Sequence, residues 1–427
     1  MTASLRADGS SVLAKGNKWG YFPSVAAGWT LKEESFLQNV NWLDNLKIRA
    51  SWGLSGNSAI DAYQTLGALV STVEGGTDMI ATTLANADLT WETTSSFDVG
   101  LDFGFFNNRL SGSIDYFWTR TNDLLYYTNQ PASSVFTSII DNVGSTKGQG
   151  IEVALNTLFV RKKDFSWDAT WSYTHFTDEV TKLSEGLDRN INGNTGFIVG
   201  EPVSIYYDYK TDGTWGIGEY EQYVEAYKQR HGGEAPAYTV AHYGDPGTVK
   251  IIDKNDDGII DDNDRYVYDR SPKHIIGMNN TFSYKDFTLG VQIYARLGGY
   301  ISYGMNEQLN YESANWGDID YWTPSNQDAK FPSPGLTSEQ QATYSTYKTA
   351  LMYEKADYVK IKDVTLSYSL PKNFLSRLHI SNARVYGSLK NFFTFSGIDN
   401  YDPERGGSIS FPLQKQVVFG PVSYTHL

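Results

Sequence analysis

Residues 97–105 read FDVGLDFGF, in which large apolar residues alternate with aspartate and glycine. The alternation resumes after Asn107-Asn108 as LSGSIDYFW at 110–118, and returns as LGVQIYARL at 289–297. Successive side chains of a β-strand point to opposite faces, so each segment has one apolar and one more polar face. Repetition of this pattern along one chain predicts a single large sheet with an oily and a watery face, the pattern of an antiparallel transmembrane β-barrel.

The composition supports an all-β membrane protein and argues against several other classes. The 427 residues include 30 Tyr, 21 Phe and 11 Trp, and membrane barrels carry aromatic girdles near their strand ends. No apolar run reaches the roughly 18 residues of a transmembrane helix. The lack of cysteine excludes disulfides, and the net charge of −14 without a basic stripe argues against nucleic acid. No secretion signal follows Met1, so we expect the chain to be a fragment of an exported protein.

About twelve segments carry the strand pattern, with boundaries uncertain by a few residues. They are 2–8, 20–30, 45–55, 91–105, 109–127, 143–158, 165–182, 273–285, 287–300, 356–370, 380–395 and 409–420. In one of them the apolar positions change phase between Ile361 and Val364. An extra residue in one strand repairs such a shift, so we predict a β-bulge near Lys362 and Asp363.

The predicted connections alternate between short and long. The short ones are 107–108, 160–164, 285–286 and 371–379, and the long ones are 56–90, 128–142, 183–272, 301–355 and 396–408. Bacterial barrels have short periplasmic turns and long extracellular loops. We therefore predict that 183–272, with a helix near 219–230, forms an extracellular excursion. A soluble β-sandwich is the alternative, but its connections would not be sorted by length between the two ends of the sheet.

Several motifs resemble the SusC/RagA family of TonB-dependent outer-membrane transporters. They are RADGS at 6–10, WGYFPSVAAGW at 19–29, LKIRASWGLSGN at 46–57, LTWETT at 89–94, NVGS at 142–145, GIEV at 150–153 and YVKIKDVTLSYSLP at 358–371. Their order and spacing match the C-terminal half of that family's barrel. The resemblance extends over nearly the whole chain.

The resemblance implies a barrel of about 22 strands in the outer membrane of a Gram-negative bacterium, of which residues 1–420 would supply about twelve. It also implies import of oligosaccharides, or sometimes peptides, beneath a SusD-like lipoprotein lid. The TonB protein would drive import through an N-terminal part that this chain lacks. We expect residues 421–427 to be a non-native tail, because Pro421 interrupts the pattern of the last strand.

Residues 253–264 read DKNDDGIIDDND, which follows the spacing of a twelve-residue calcium loop. Gly258 occupies the position of the sharp turn, and position twelve holds an aspartate where an EF-hand has glutamate. Hard oxygen ligands suit Ca²⁺, which we expect to order this loop; a solvated Asp/Asn/Gly turn is the alternative. The predicted ligands are Asp253, Asn255, Asp257, Ile259 (through its carbonyl), Asp261 and Asp264.

Aromatic residues of the long loops are candidates for stacking on sugar rings, although packing between loops is the favoured alternative for any one of them. The candidates are Tyr207, Trp215, Trp316, Tyr321 and Trp322. No nucleophile elbow, zinc motif or distinct carboxylate pair is present, so we expect no enzyme activity. The main hypothesis is a glycan importer. The alternative is an outer-membrane surface binding or structural protein with calcium-ordered loops and no transport.

Overall fold

The computed structural model describes the chain except residues 67, 72–78, 130–137, 184–185, 305–318, 377–379, 399–400, 409, 412 and 425–427. Strands dominate the described part. In chain order they are β1 (Thr2–Gly9), β2 (Trp19–Thr30), β3 (Leu43–Asn57), β4 (Ala68–Ser71), β5 (Met79–Thr83), β6 (Glu92–Phe105), β7 (Leu110–Asn129), β8 (Ser138–Arg161), β9 (Phe165–Lys182), β10 (Arg189–Asn192), β11 (Thr195–Ile198), β12 (Ile205–Asp208), β13 (Thr211–Thr214), β14 (Val249–Ile251), β15 (Tyr266–Asp269), β16 (His274–Tyr284), β17 (Phe287–Leu297), β18 (Tyr300–Ser302), β19 (Tyr353–Lys355), β20 (Tyr358–Ser369), β21 (Asn382–Ser396) and β22 (Gln416–Tyr424).

The helices of the described residues are few and short. The α-helices are α1 (Glu219–Arg230), α2 (Gln341–Tyr347) and α3 (Lys372–Leu375). The 3₁₀ turns are Leu31–Glu33, Gln64–Leu66, Asp262–Asp264, Lys348–Leu351 and Pro403–Arg405. Helix α1 coincides with the helix predicted near 219–230. In the part of the chain that the structure describes, no helix combines the length and apolarity needed to cross a membrane.

The main sheet confirms the prediction of about twelve antiparallel strands. Its path is β1-β2-β3-β6-β7-β8-β9-β16-β17-β20-β21-β22, and the short strands β4 and β5 attach beside β8. Each neighbouring pair on this path runs antiparallel. Among the described residues β1 and β22 each pair on one side only, so the sheet is an open section of barrel wall.

The register of the sheet sorts its side chains onto two chemically different faces. Ile48, Leu101 and Ile114 lie side by side on β3, β6 and β7. Ile48 and Ile114 are 41% and 42% exposed although both are apolar, so this face suits contact with lipid. One position along, Arg49 and Asp115 form an ion pair on the opposite, polar face. The alternation in the sequence therefore corresponds to the two faces of one sheet.

The two ends of the sheet differ in their connections. We call the end with 106–109, 162–164 and 285–286 the turn end, and the opposite end, where 183–273 and 298–357 leave the sheet, the lobe end. Aromatic rings cluster at the turn end, where the Trp42 and Phe105 ring centroids are 5.8 Å apart. Such a cluster is expected at the boundary of an apolar band.

The predicted bulge is present, whereas some predicted boundaries are wrong. Pairing of β20 with β17 shifts between Ile361 and Asp363, which leaves Lys362 as the extra residue on that side. Pairing with β21 shifts at the same place in the opposite sense, with Asn391 and Phe392 opposite Lys362 alone. Strands β7 and β8 pair up to Asn129 and Ser138, so the loop predicted at 128–142 is much shorter. The last strand is Gln416–Tyr424 and not 409–420. Pro421 fits opposite Val385 because, in the part of the chain that the structure describes, β22 pairs on one side only, and an unpaired strand edge tolerates a missing N–H.

Gly112 on β7 lies where the next strand leaves no room for a side chain. A Cβ there would be 2.0 Å from the Ala154 carbonyl oxygen, whereas a Cβ at Gly290 on β17 would be 3.9 Å from its nearest neighbour. We expect Gly112→Ala to destabilise the barrel by about 1–3 kcal/mol, the usual effect of overpacking. Gly290→Ala is the matched control and is expected to be nearly neutral. Urea titration of the native gene product in outer-membrane vesicles, read by heat-modifiable migration, measures both; equal midpoints would contradict the steric argument.

Candidate functional site

The two long excursions at the lobe end fold together into one unit, which we call the lobe: the described residues of 183–272 and 298–357. Its small sheets are β10-β11-β12-β15, β13-β14 and β18-β19. Both excursions contribute to a shared hydrophobic core of Trp215, Tyr243, Val249, Ile251, Ile260, Phe331, Tyr347, Ala350 and Leu351. The lobe thus has a core of its own, separate from the apolar face of the barrel wall.

Trp215 lies at the centre of this core and is 2% exposed. Its ring meets Tyr220 edge-on at 5.2 Å, and the Lys250 ammonium lies 5.2 Å from the ring centroid. Lys250 Nζ also donates to Glu219 Oε1 at 2.7 Å and pairs with Asp212 Oδ2 at 3.0 Å. Burial alone would lower the pKa of Lys250, but the hydrogen bonds to these carboxylates raise it, so the cation stays charged.

Hydrogen bonds join the two excursions across the lobe. The Tyr353 hydroxyl donates to Asp208 Oδ2 at 2.8 Å and accepts from Asn194 Nδ2 at 2.7 Å. Thr214 Oγ1 donates to the Ala329 carbonyl at 3.1 Å. Each bond links residues more than a hundred positions apart, so the sequence pattern gave no indication of them.

The predicted aromatic platforms have different surroundings. Trp215, Tyr207 and Trp322 are only 2%, 9% and 8% exposed, which supports the packing alternative for these three. Tyr321 is 44% exposed and retains an accessible ring. Trp316 lies outside the described residues. Of the described candidates, Tyr321 therefore remains the one with an open face for a ligand.

The predicted calcium loop is closed by its own backbone. Asp253 Oδ2 accepts from the Gly258 N–H at 2.8 Å. Asp264, which is fully buried, accepts from the N–H groups of Lys254 and Asp261, both at 2.8 Å. Burial and the neighbouring Asp264 charge raise the pKa of Asp253. A bound cation would offset this accumulation of negative charge.

The other predicted ligands lie in the same loop but do not converge. Asn255 Nδ2 donates to Asp257 Oδ2 at 2.8 Å, and the Ile259 N–H donates to Asp257 Oδ1 at 2.9 Å. Across the described residues, no three His, Cys, Asp or Glu side chains gather closely enough to hold a metal ion. Ionised carboxylates keep further lone pairs for a cation, so the donor set fits Ca²⁺ chemically after a local rearrangement.

A buried ion cluster, which the sequence reasoning missed, fastens the connection before β22 to the wall. Lys360 on β20 is fully buried, and its Nζ contacts Asp402 Oδ2 at 2.5 Å and Glu404 Oε2 at 2.9 Å. Lys362, the bulge residue, pairs with the second Glu404 oxygen. The signal available was a pair of lysines two positions apart and a pair of acids with the same spacing. Neither pair was distinctive without knowledge of which segments meet.

A cleft of about 330 Å³ opens between the end of β7 and the small sheet of the lobe. Its lining combines aromatic, amide and hydroxyl side chains with one guanidinium. The residues are Tyr126, Tyr127, Asn190, Asn192, Thr195, Gly196, Phe197, Val203, Ser204, Ile205 and Arg270. Sequence analysis had singled out none of them, because four separate segments supply them.

Comparison with known proteins identifies the class. The family model described as "TonB dependent receptor-like, beta-barrel" matches residues 1–249. TonB-dependent receptor P26 of Formosa agariphila is 33% identical over 93% of this chain and 40% of its own length. TonB-dependent receptor SusC of Bacteroides thetaiotaomicron is 28% identical over 98% of this chain and 41% of its own length. The chain thus spans about two fifths of these relatives.

The chain belongs to the TonB-dependent receptor β-barrel family and is of the SusC/RagA type. A solved structure titled the RagAB peptide transporter aligns over 98% of this chain and 45% of its own, with 25% identity and a TM-score of 0.77. This family is found in the outer membrane of Gram-negative bacteria and is not enzymatic. The family, the location and the partial barrel predicted from sequence are confirmed.

Proposed function

We propose that this chain forms part of the wall and the ligand-capturing lobe of an outer-membrane importer for oligosaccharides. The observation that carries the proposal is the sheet itself, which has a lipid-compatible face, a polar face and a folded lobe at one end only. A wall with a polar inner face can border a solute path, and a lobe beside that path can hold a ligand before passage.

The lobe is proposed to face the cell exterior. Short turns are periplasmic and long connections extracellular in bacterial barrels, and the lobe contains the two longest connections. A SusD-like lipoprotein would cover the lobe as a lid, and TonB would supply the driving force. Both partners are inferred from the fact that the chain is of the SusC/RagA type.

Oligosaccharides are preferred as cargo because of the lining of the cleft. Flat rings such as Tyr127 and Phe197 can stack on sugars, while Asn190 and Asn192 can bond hydroxyl groups. A peptide is the competing cargo, since one structural neighbour is titled a peptide transporter. Both cargoes can be measured in one experiment.

The test uses the native gene product in its own cells. We expect a fluorescent oligosaccharide to reach the periplasm, and uptake to stop when TonB or the partner lipoprotein is deleted. Uptake of peptides but not saccharides would replace the proposed cargo. Surface binding that never leads to uptake would favour the alternative, a surface binding protein without transport.

We further propose that Ca²⁺ orders the loop 253–264 within the lobe. The excess of carboxylates and the raised pKa of Asp253, caused by burial and by the Asp264 charge, support a cation there. Adding calcium to outer-membrane vesicles is expected to slow proteolysis of the lobe several-fold. Asp257→Asn should abolish most of this protection, because it removes a charged ligand at the fifth loop position.

The control for the calcium experiment is Asp262→Asn, at the tenth loop position. Asp262 is 62% exposed and pairs with Arg265, so it is a loop carboxylate outside the predicted ligand set. We expect it to respond to calcium like the wild-type protein. Equal protection from proteolysis by calcium in all three proteins, or no protection in any of them, would contradict the calcium proposal.

A further inference from the structure

The cleft between β7 and the lobe contains one charged side chain, and that side chain is a cation. Among the lining residues only Arg270 is charged, although the whole chain carries a net charge of −14. Within the described residues Arg270 forms no ion pair. The adjacent carboxylate, Asp269, pairs with Lys273 instead. The cleft therefore presents an uncompensated positive charge.

The guanidinium of Arg270 is exposed and lies over an aromatic ring. Its Cζ lies 4.6 Å from the centroid of the Tyr206 ring, a cation–π contact. The backbone N–H of Arg270 donates to the Ser204 carbonyl at 2.9 Å, which fixes the main chain beside the cleft. Stacking of this kind leaves the edge of the planar guanidinium free to donate. That fork matches the two oxygens of a carboxylate or the oxygens of a sulfate.

A second observation in the lining of the cleft also indicates a ligand. The Tyr126 hydroxyl is buried and has no hydrogen-bond partner among the described residues. Its ring lies 5.5 Å from the ring of Phe197, which also lines the cleft. A buried unpaired hydroxyl is unfavourable unless a water or a ligand satisfies it. Sugar hydroxyl groups can both donate to it and accept from it.

The cleft also lies in an accessible part of the molecule. Strand β7 contains 20 residues, and a tilted strand crosses a membrane in about 9–11 residues. Because β7 begins at the turn end with Leu110, Tyr126 lies beyond the membrane on the lobe side. An anionic ligand could reach the cleft without entering lipid.

We propose that this cleft is a subsite for an acidic oligosaccharide, with Arg270 binding a carboxylate or sulfate substituent and Tyr126 bonding a sugar hydroxyl. This inference rests on the proposed function and narrows it from oligosaccharides to anionic ones. Tyr127 and Phe197 supply the faces on which the sugar rings stack. Asn190 and Asn192 supply amide donors and acceptors beside the charge.

The test measures binding to the detergent-purified native gene product by titration calorimetry. Three tetrasaccharides of equal length are compared: a neutral one, a uronate and a sulfate ester. We expect at least one acidic ligand to bind ten times more tightly than the neutral one, a difference of about 1.4 kcal/mol. The stronger of the two identifies the anionic group. Arg270→Gln should remove the preference, and Arg270→Lys should retain part of it.

Two further variants make the result specific. Arg161→Gln removes the same charge at the turn end of β8 and should keep the acidic preference unchanged. Tyr126→Phe should weaken the binding of neutral and acidic ligands to the same extent. An unchanged acidic preference in Arg270→Gln, or equal affinity for all three ligands, would overturn the subsite while leaving glycan import standing. Failure of every saccharide to bind, with peptides binding, would overturn both the subsite and the proposed cargo.

Discussion

Replacing Trp215 with alanine is expected to lower the free energy of unfolding of the lobe by about 3–5 kcal/mol, the usual range for a buried Trp→Ala change. Trp215 is 2% exposed and its ring is enclosed by Tyr220, Tyr223 and Tyr243 at centroid distances of 5.2, 5.6 and 5.8 Å. Removing the indole leaves a cavity and deprives Lys250 of its ring contact. Urea-dependent proteolysis of the lobe in outer-membrane vesicles measures the loss.

The matched variant is Tyr321→Ala, which removes an aromatic ring that is 44% exposed in the same lobe. We expect its effect on stability to stay within about 0.5 kcal/mol, as for most surface changes. If Trp215 were a ligand platform, Trp215→Ala would reduce binding with little change in urea resistance. Comparable urea midpoints for Trp215→Ala and the wild-type protein would therefore contradict the packing role.

The barrel wall was predictable because its signal is local. A strand repeats every two residues, so FDVGLDFGF reveals both the element and its two faces. The phase change around Lys362 revealed the bulge by the same rule. The alternation of short and long connections then predicted which strand ends meet at each end of the sheet. The strand ends within 128–142 were harder to predict from sequence, because β7 and β8 pair well beyond the apolar band that defines the pattern.

The lobe was not predictable in the same way, because its core joins two excursions. Trp215 and Phe331 belong to one cluster but lie on opposite sides of β16 and β17 in the sequence. No periodic pattern connects them. For the aromatic residues of the long loops the sequence therefore favoured packing in general, and only burial distinguished Trp215 from Tyr321.

The candidate sites likewise differ in whether their residues are contiguous in the sequence. The calcium spacing at 253–264 was visible because all its residues are contiguous, although spacing does not determine whether side chains converge. The cleft draws on 126–127, 190–197, 203–205 and Arg270, so its chemistry emerges only from the folded chain. The Lys360 cluster likewise required the knowledge that β20 meets the segment around Glu404.

Replacing Lys360 with methionine is expected to release residues 401–408 from the barrel wall. The ammonium is fully buried between Asp402 and Glu404, and breaking a buried ion pair by removing one partner costs about 3–5 kcal/mol. Lys362 still contacts Glu404, so Asp402 loses the most compensation. Hydrogen exchange of residues 401–408 in outer-membrane vesicles should accelerate strongly, while exchange within β7 should not change.

A triple variant separates the lost ion pair from a simple packing defect. Lys360→Met combined with Asp402→Asn and Glu404→Gln removes the unpaired charges, so we expect most of the protection to return.

Burial alone would raise the pKa of Glu404, but the hydrogen bonds from Lys362 and Lys360 and their charges lower it below 4.5. A carboxyl group whose pKa is lower in the folded state stabilises the protein above pH 4.5. This stabilisation is lost as the pH falls through the pKa of the folded state. Wild-type protection of 401–408 should therefore fall in acid, whereas the triple variant should lack this dependence. Equal exchange in Lys360→Met and the wild-type protein at neutral pH would contradict the role of Lys360 in holding this segment to the wall.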